Sequence, residues 1–231
     1  LDNLTIKIDT PQSDQNETIP LTELAYLHIK RKIQTCEYMP GQEIYEKQLY
    51  DELGFGRTPI REALLTLKNE NLLEVFPRKG MRIKPIIKDE VIELYQIRKL
   101  LEPAVAQEYK AIYPKSVLLD FEKKFKEEEE NKSDSLESDI LFYVLDIDFH
   151  SYLINITQNK TLIKIYNDLM EKQYRLAVYG AKTKISQRSS NFLQHQQIIN
   201  AIINEDDSKI KEYLVVHCNH SLVTLLKALD N

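Results

Sequence analysis

Four residues in the C-terminal half have the types and spacing of a metal site. Asp146 and His150 are four residues apart, about 40° around a helix and therefore on one face. They share that face with Tyr143, Ile147 and Ile154, and a carboxylate on an apolar face is costly unless a cation accompanies it. His195 runs with Ile198, Ile199 and Ile202, and His217 follows Ile210, Tyr213 and Leu214. One stands eleven residues before Asp206 and the other eleven after it. If the chain folds back there as an antiparallel pair, both imidazoles lie about 16 Å from the turn, at one level. Three imidazoles and a carboxylate suit a divalent transition metal, with coordination positions left for water or a ligand. Zinc is the first expectation, with nickel, iron and manganese as alternatives. His220, three residues beyond His217 and slightly off the stripe, is a second candidate for the last ligand.

Arg98 is another charge in an apolar stripe, among Val91, Leu94, Tyr95, Leu101 and Val105. A guanidinium directed inward must be paired. Glu102, one turn on, is the structural partner; an anion in a cavity is the other, and the preferred reading places Arg98 at a cavity.

A different chemistry sits near the N-terminus. Gly54 and Gly56 interrupt one helical pattern, Pro59 suits a first helical turn, and Ile60, Ala63, Leu64 and Leu67 recur at helical spacing. Burying that face leaves Arg57, Thr58 and Arg61 at the exposed N-terminal end. There guanidinium groups can fork onto guanine edges or phosphates in a DNA major groove.

These residues need elements to position them. Residues 1–20 show no sustained periodicity and read as a disordered or extended tail. Thr22 is expected to cap a helix carried by Leu24, Ala25, Ile29 and Ile33 as far as Pro40-Gly41. A second helix covers Glu46 to Leu53, with Lys47 facing the same side as the recognition-helix start. The third closes near Asn69-Glu70-Asn71, where Asn71 can take the left-handed conformation. Two β-prone runs, Leu72–Phe76 and Met81–Lys84, flank the basic tip Pro77-Arg78-Lys79-Gly80. Three helices and such a hairpin make a winged helix-turn-helix, here residues 21–85.

Residues 86–231 read as an all-helical antiparallel bundle, so the fold class is mainly α. A long helix begins at Asp89. Residues 114–139 read as an exposed helix running into a loop, with Glu127–Glu130 a solvated face, and helical pattern resumes at Ile140.

The 231 residues, 42% hydrophobic and 29% charged, can bury a proper core. The net charge of −5 hides a local excess: residues 21–87 carry eleven Lys and Arg against nine acids. No apolar run approaches the roughly 18 residues of a membrane span, and the N-terminus lacks a secretion pattern, so a cytoplasmic protein is expected. Cys36 and Cys218 lie far apart without zinc spacing and read as buried thiols.

Pro40-Gly41, Glu46-Lys47-Gln48-Leu49, Gly56-Arg57-Thr58-Pro59-Ile60-Arg61-Glu62-Ala63-Leu64 and Arg78-Lys79-Gly80 together resemble the DNA-binding domain of the GntR family of bacterial transcription regulators. The resemblance implies DNA contacts from Lys47, Arg57, Thr58, Arg61 and the wing residues Lys79 and Gly80. Gly56 stands where the family usually has Ser or Thr, which removes a helix cap, and Asn71 replaces the usual Gly. Residues 86–228 resemble the effector-binding FCD domain of the FadR subgroup, through Arg98-x3-Glu102, Asp146-x3-His150, Asn159 and His195-x10-Asp206-x10-His217. In that subgroup the residues matching Asp146, His150, His195 and His217 bind a metal, and the one matching Arg98 helps hold a small carboxylate effector. Gln194 stands where Glu often precedes the first late histidine. Retention of all four ligand types argues against the metal-free branch that binds acyl-CoA.

The reading that follows is a metabolite-responsive regulator, taken as a repressor, that works as a homodimer on a palindromic operator. The alternative is a metal-dependent hydrolase or lyase on a helical bundle. It is weakened by the lack of an HExxH pattern and by having only Arg98, Glu102 and Tyr143 as further acid–base candidates.

Overall fold

A computed structural model describes residues 19–76, 80–183 and 188–230. Most of the expected tail, the wing-tip residues Pro77, Arg78 and Lys79, and residues 184–187 lie outside them. The chain divides into two compact units, Leu1–Ile86 and Ile87–Asn231.

In the first unit α1 (Leu21–Gln34), α2 (Glu46–Leu53) and α3 (Arg57–Asn69) pack beside a small sheet. Ala25, Ile29 and Ile33 of α1 meet Ile60, Ala63 and Leu67 of α3 in a core where all six are fully buried. Each large aliphatic so buried contributes about 1.5–3 kcal/mol. Thr22 does not cap α1. Pro20 occupies the cap position, and the Thr22 hydroxyl, inside the helix, donates to Glu62 Oε2 at 2.9 Å. The helix also stops at Gln34, short of Pro40-Gly41, because Cys36 turns to φ +48°. Gly54, at φ +70°, closes α2, and Asn71, at φ +60°, follows the end of α3 in the left-handed region.

The hairpin of β2 (Leu73–Phe76) and β3 (Gly80–Ile83) is joined by β1 (Glu43–Ile44), in the antiparallel order β1-β3-β2. Two residues are too few for an alternating pattern, so β1 is invisible to periodicity.

The second unit is helical throughout its described residues: α4 (Lys88–Glu108), a short 3₁₀ turn (Lys110–Ile112), α5 (Lys115–Glu130), α6 (Leu136–Asn155), α7 (Lys160–Lys182), α8 (Arg188–Ile203) and α9 (Asp207–Leu229). Helix α6 begins four residues before the apolar pattern does, because the Ser135 hydroxyl accepts from the Ser138 N–H and caps it. Asn159 caps α7, and Asp206 caps α9 by accepting from the Lys209 N–H. Helix α4 packs on α9 and α6, while α8 packs on α5 and α9. The core between them gathers Phe125, Phe142, Phe149, Ile198, Ile202, Ile210 and Leu214.

Candidate metal centre and DNA-reading surface

Asp146 and His150 come from α6, His195 from α8 and His217 from α9, and one ligand atom of each lies within 4.8 Å of all the others. The turn at Asp206 brings α8 and α9 level, with the His195 and His217 rings 4.6 Å apart. All three histidines are fully buried and Asp146 is nearly so. Asp146 Oδ1 is 3.0 Å from His195 Nε2, 3.6 Å from His217 Nε2 and 3.9 Å from His150 Nε2, and the last two nitrogens are 3.1 Å apart. Ligands bound about 2.0–2.1 Å from a zinc ion stand about 2.9–3.4 Å from one another.

The far side of each ring explains why the ε nitrogens converge. His195 Nδ1 donates to the Asn191 carbonyl at 2.8 Å, His217 Nδ1 to Gln194 Oε1 at 3.1 Å, and His150 Nδ1 faces Glu102 Oε2 at 2.8 Å. An oxygen acceptor at Nδ1 keeps the proton there and leaves the Nε2 lone pair free. Three lone pairs and a carboxylate thus face one point, and His195 Nε2 makes no hydrogen bond. This donor set fits a divalent cation and little else. Burial holds His195 and His217 below the ordinary histidine range, in the neutral form a metal requires. Burial opposes charge on Asp146 too, but the surrounding imidazoles hold its carboxyl well below the usual range. The His195 ring is further fixed by Phe125 of α5, stacked at 4.2 Å between centroids, a contact no motif announced.

His220 lies outside this cluster. Its Nδ1 is 3.2 Å from Asn191 Oδ1 and its Nε2 3.4 Å from Ser190 Oγ.

Arg98 satisfies both of its readings. Its Nε donates to Glu102 Oε1 at 2.5 Å, as the structural partner requires, while neither terminal nitrogen has a hydrogen-bond partner among the described residues, although the side chain is buried. Glu102 also accepts from the Tyr166 hydroxyl at 2.7 Å. Burial opposes its charge, but Arg98 and His150 hold it ionised, well below the usual carboxylate range. A cavity of about 30 Å³ adjoins the cluster, bordered by Asp146 and by Tyr95, Tyr143 and Gln173.

In the first unit Lys47 is exposed on α2, and Arg57, Thr58 and Arg61 are exposed in the first turns of α3. Arg61 Nε meets Glu46 Oε2 at 2.9 Å, so the start of α2 adjoins the start of α3. Gly56 holds the cap position of α3 with no side chain to accept from it. Gly80 opens β3 at φ +97°, and a Cβ there would sit 2.8 Å from the Tyr45 ring, so the backbone needs glycine for its own packing. Lys79 lies outside the described residues.

No helix among the described residues is long and apolar enough to cross a membrane.

Comparison with known proteins agrees with this geometry. Residues 21–83 match the bacterial regulatory proteins of the gntR family, and residues 93–220 match the FCD domain. The chain is 26% identical to the Uxu operon regulator of Haemophilus influenzae over 220 residues, covering 87% of this chain and 80% of that one. It is 24% identical to the HTH-type transcriptional repressor RspR of Escherichia coli over 212 residues, covering 90% of each. Among solved structures, Escherichia coli McbR/YncC shares the fold with a TM-score of 0.69 at 20% identity, over 91% of this chain and 99% of that one. The family regulates transcription, which sets aside the hydrolase or lyase alternative. A GntR-type reading head in the first unit and an FCD domain in the second make this chain a member of the gntR family of bacterial transcription regulators, and not an enzyme.

Proposed function

We propose that this regulator responds to a small carboxylate metabolite held jointly by a divalent metal and Arg98. Asp146, His150, His195 and His217 hold the metal, zinc first among the candidates, and the bound ion supplies a Lewis-acid anchor for one end of the metabolite. The observation that carries this reading is the pairing of converging Nε2 lone pairs with two unsatisfied guanidinium nitrogens on Arg98, in one buried region. Elemental analysis of the purified protein tests it: about one transition-metal ion per chain is expected, lost in His195→Ala. A metal content unchanged by that substitution overturns the site.

The reading head acts through Lys47, Arg57, Thr58, Arg61 and the wing at Lys79 and Gly80, on operator DNA, as a cytoplasmic homodimer. Two copies are needed because one recognition helix reads only half of a palindrome. Ile97 and Leu100, exposed at adjacent positions on one face of α4, support self-association of the second unit. Effector binding changes operator affinity through its different affinity for the two states of the dimer. Arg57→Ala with Arg61→Ala should abolish binding to an operator selected from random DNA, while sedimentation still shows a folded dimer. Undiminished binding overturns the assignment.

A further inference from the structure

Beside the metal cluster lies a cavity whose chemistry the anchoring of a carboxylate leaves unused. Asp146 forms one border, and Tyr95, Gln173, Asn191, Ser221 and Thr224 bring hydrogen-bonding groups to the rest. Gln173, on α7 and only 5% exposed, donates through Nε2 to the Tyr95 hydroxyl at 2.9 Å. Its Oε1 is buried with no partner among the described residues. A buried amide oxygen without a donor is costly, and here it lies in the wall of a cavity. The Tyr95 ring in turn lies under the Arg98 guanidinium, 5.2 Å from centroid to Cζ. The amide is therefore two contacts from the anion anchor and shares the cavity with a metal ligand.

We propose that the effector is a short hydroxylated carboxylate and that Gln173 reads its hydroxyl, which donates to Oε1. The proposal rests on the carboxylate reading above and adds the class of acid. Three features narrow that class. An alkyl acid would cover five polar side chains and leave them unpaired, which a site built from hydrogen-bonding groups rejects strongly. A second carboxylate would face Asp146, and no Lys or Arg lines this cavity to offset it. The volume, about 30 Å³, takes roughly two or three water-sized groups, which excludes an acyl chain. Gly180 adds to the space at the same wall, since a Cβ there would come within 3.3 Å of Leu225 Cδ2. A water that satisfies Oε1 in the free protein is what the ligand hydroxyl displaces.

The test is calorimetric titration of the zinc-loaded full-length dimer with matched acids: lactate against propionate, and 3-hydroxybutyrate against butyrate. The hydroxylated member of at least one pair should bind about tenfold tighter or more. In Gln173→Met that preference should fall to within about twofold while the plain acid still binds and zinc content is unchanged. Gln173→Asn, which keeps the amide but retracts it by one methylene, is the second variant and should lose the preference as well. Equal affinities within both pairs overturn the proposal. A preference that survives both substitutions also overturns it, because the metal alone would then be reading the hydroxyl. If none of the four acids binds zinc-loaded protein, the carboxylate reading itself fails, and this inference with it.

Discussion

Arg98 and His150 are joined through a single carboxylate: Arg98 Nε rests on Glu102 Oε1 at 2.5 Å, and His150 Nδ1 faces Glu102 Oε2 at 2.8 Å. The residue assigned to the effector and a residue assigned to the metal thus share one buried counter-charge, with Tyr166 as a third claimant. Any displacement of Arg98 toward a ligand is felt at the imidazole, and binding free energies coupled this way act reciprocally.

Glu102→Gln should break that link. The amide keeps the shape but leaves Arg98 without a counter-ion in the interior, a loss of about 3–5 kcal/mol when a buried pair is broken. Metal affinity should fall about 10–100-fold, as when other outer partners of ligating histidines are removed. Thermal melts and competition against a chelating dye check both, and unchanged metal affinity would show that the His150 contact is incidental.

Gln194 gives a change of opposite sign. It holds His217 through a neutral amide oxygen at 3.1 Å, where a carboxylate would raise the basicity of the ring. Gln194→Glu should tighten metal binding several-fold, and Gln194→Leu should weaken it about tenfold or more. The same dye competition reads both, and equal affinities across the three proteins would remove residue 194 from the site.

Acid should destabilise the metal-stripped protein in a defined window. His195 and His217 have their pKa lowered by burial in the folded chain, so the unfolded state binds more protons once the pH drops below about 6.5. Stability is full above that value and declines as pH falls. Asp146 and Glu102, also held below their ordinary range when folded, extend the decline in the same direction below about pH 4. Melting temperature should be level from pH 8 to about 6.5 and then drop. A flat profile down to pH 5 would contradict the buried, neutral imidazoles.

The metal cluster was legible in the sequence because each ligand is a polar interruption of an apolar stripe, and because the spacing about Asp206 sets two helices level. Arg98 was ambiguous for a physical reason: Glu102 at i+4 and a cavity both satisfy a guanidinium, and the side chain is long enough to use Nε for one and offer its terminal nitrogens to the other. Gln173, Tyr95 and Phe125 escaped notice. A polar residue on an amphipathic helix reads as solvated, and an aromatic as core, until neighbouring helices decide what each faces. Thr22 misled because a hydroxyl near a helix start is the usual cap, whereas here a partner on α3, Glu62, claims it.

Gly56 offers a gain of function. It occupies the cap position of α3 at φ −66°, ψ 170°, an extended conformation that serine adopts without strain. A Cβ there meets only Pro59, at 3.8 Å or more. Serine would place a hydroxyl where it can accept from a free N–H of the first turn, worth a few tenths of a kcal/mol over glycine at a cap. The same hydroxyl stands at the exposed N-terminal end of α3, beside Arg57 and Thr58, where the orphan N–H groups and the helix dipole favour a phosphate. Gly56→Ser should therefore raise the melting temperature by about 1–2 °C and tighten operator binding about two- to fivefold without changing the preferred sequence, since a phosphate contact carries no base information. Stabilisation without tighter binding would mean that this end of α3 stands off the DNA backbone, and Arg57 would then have to reach the bases alone.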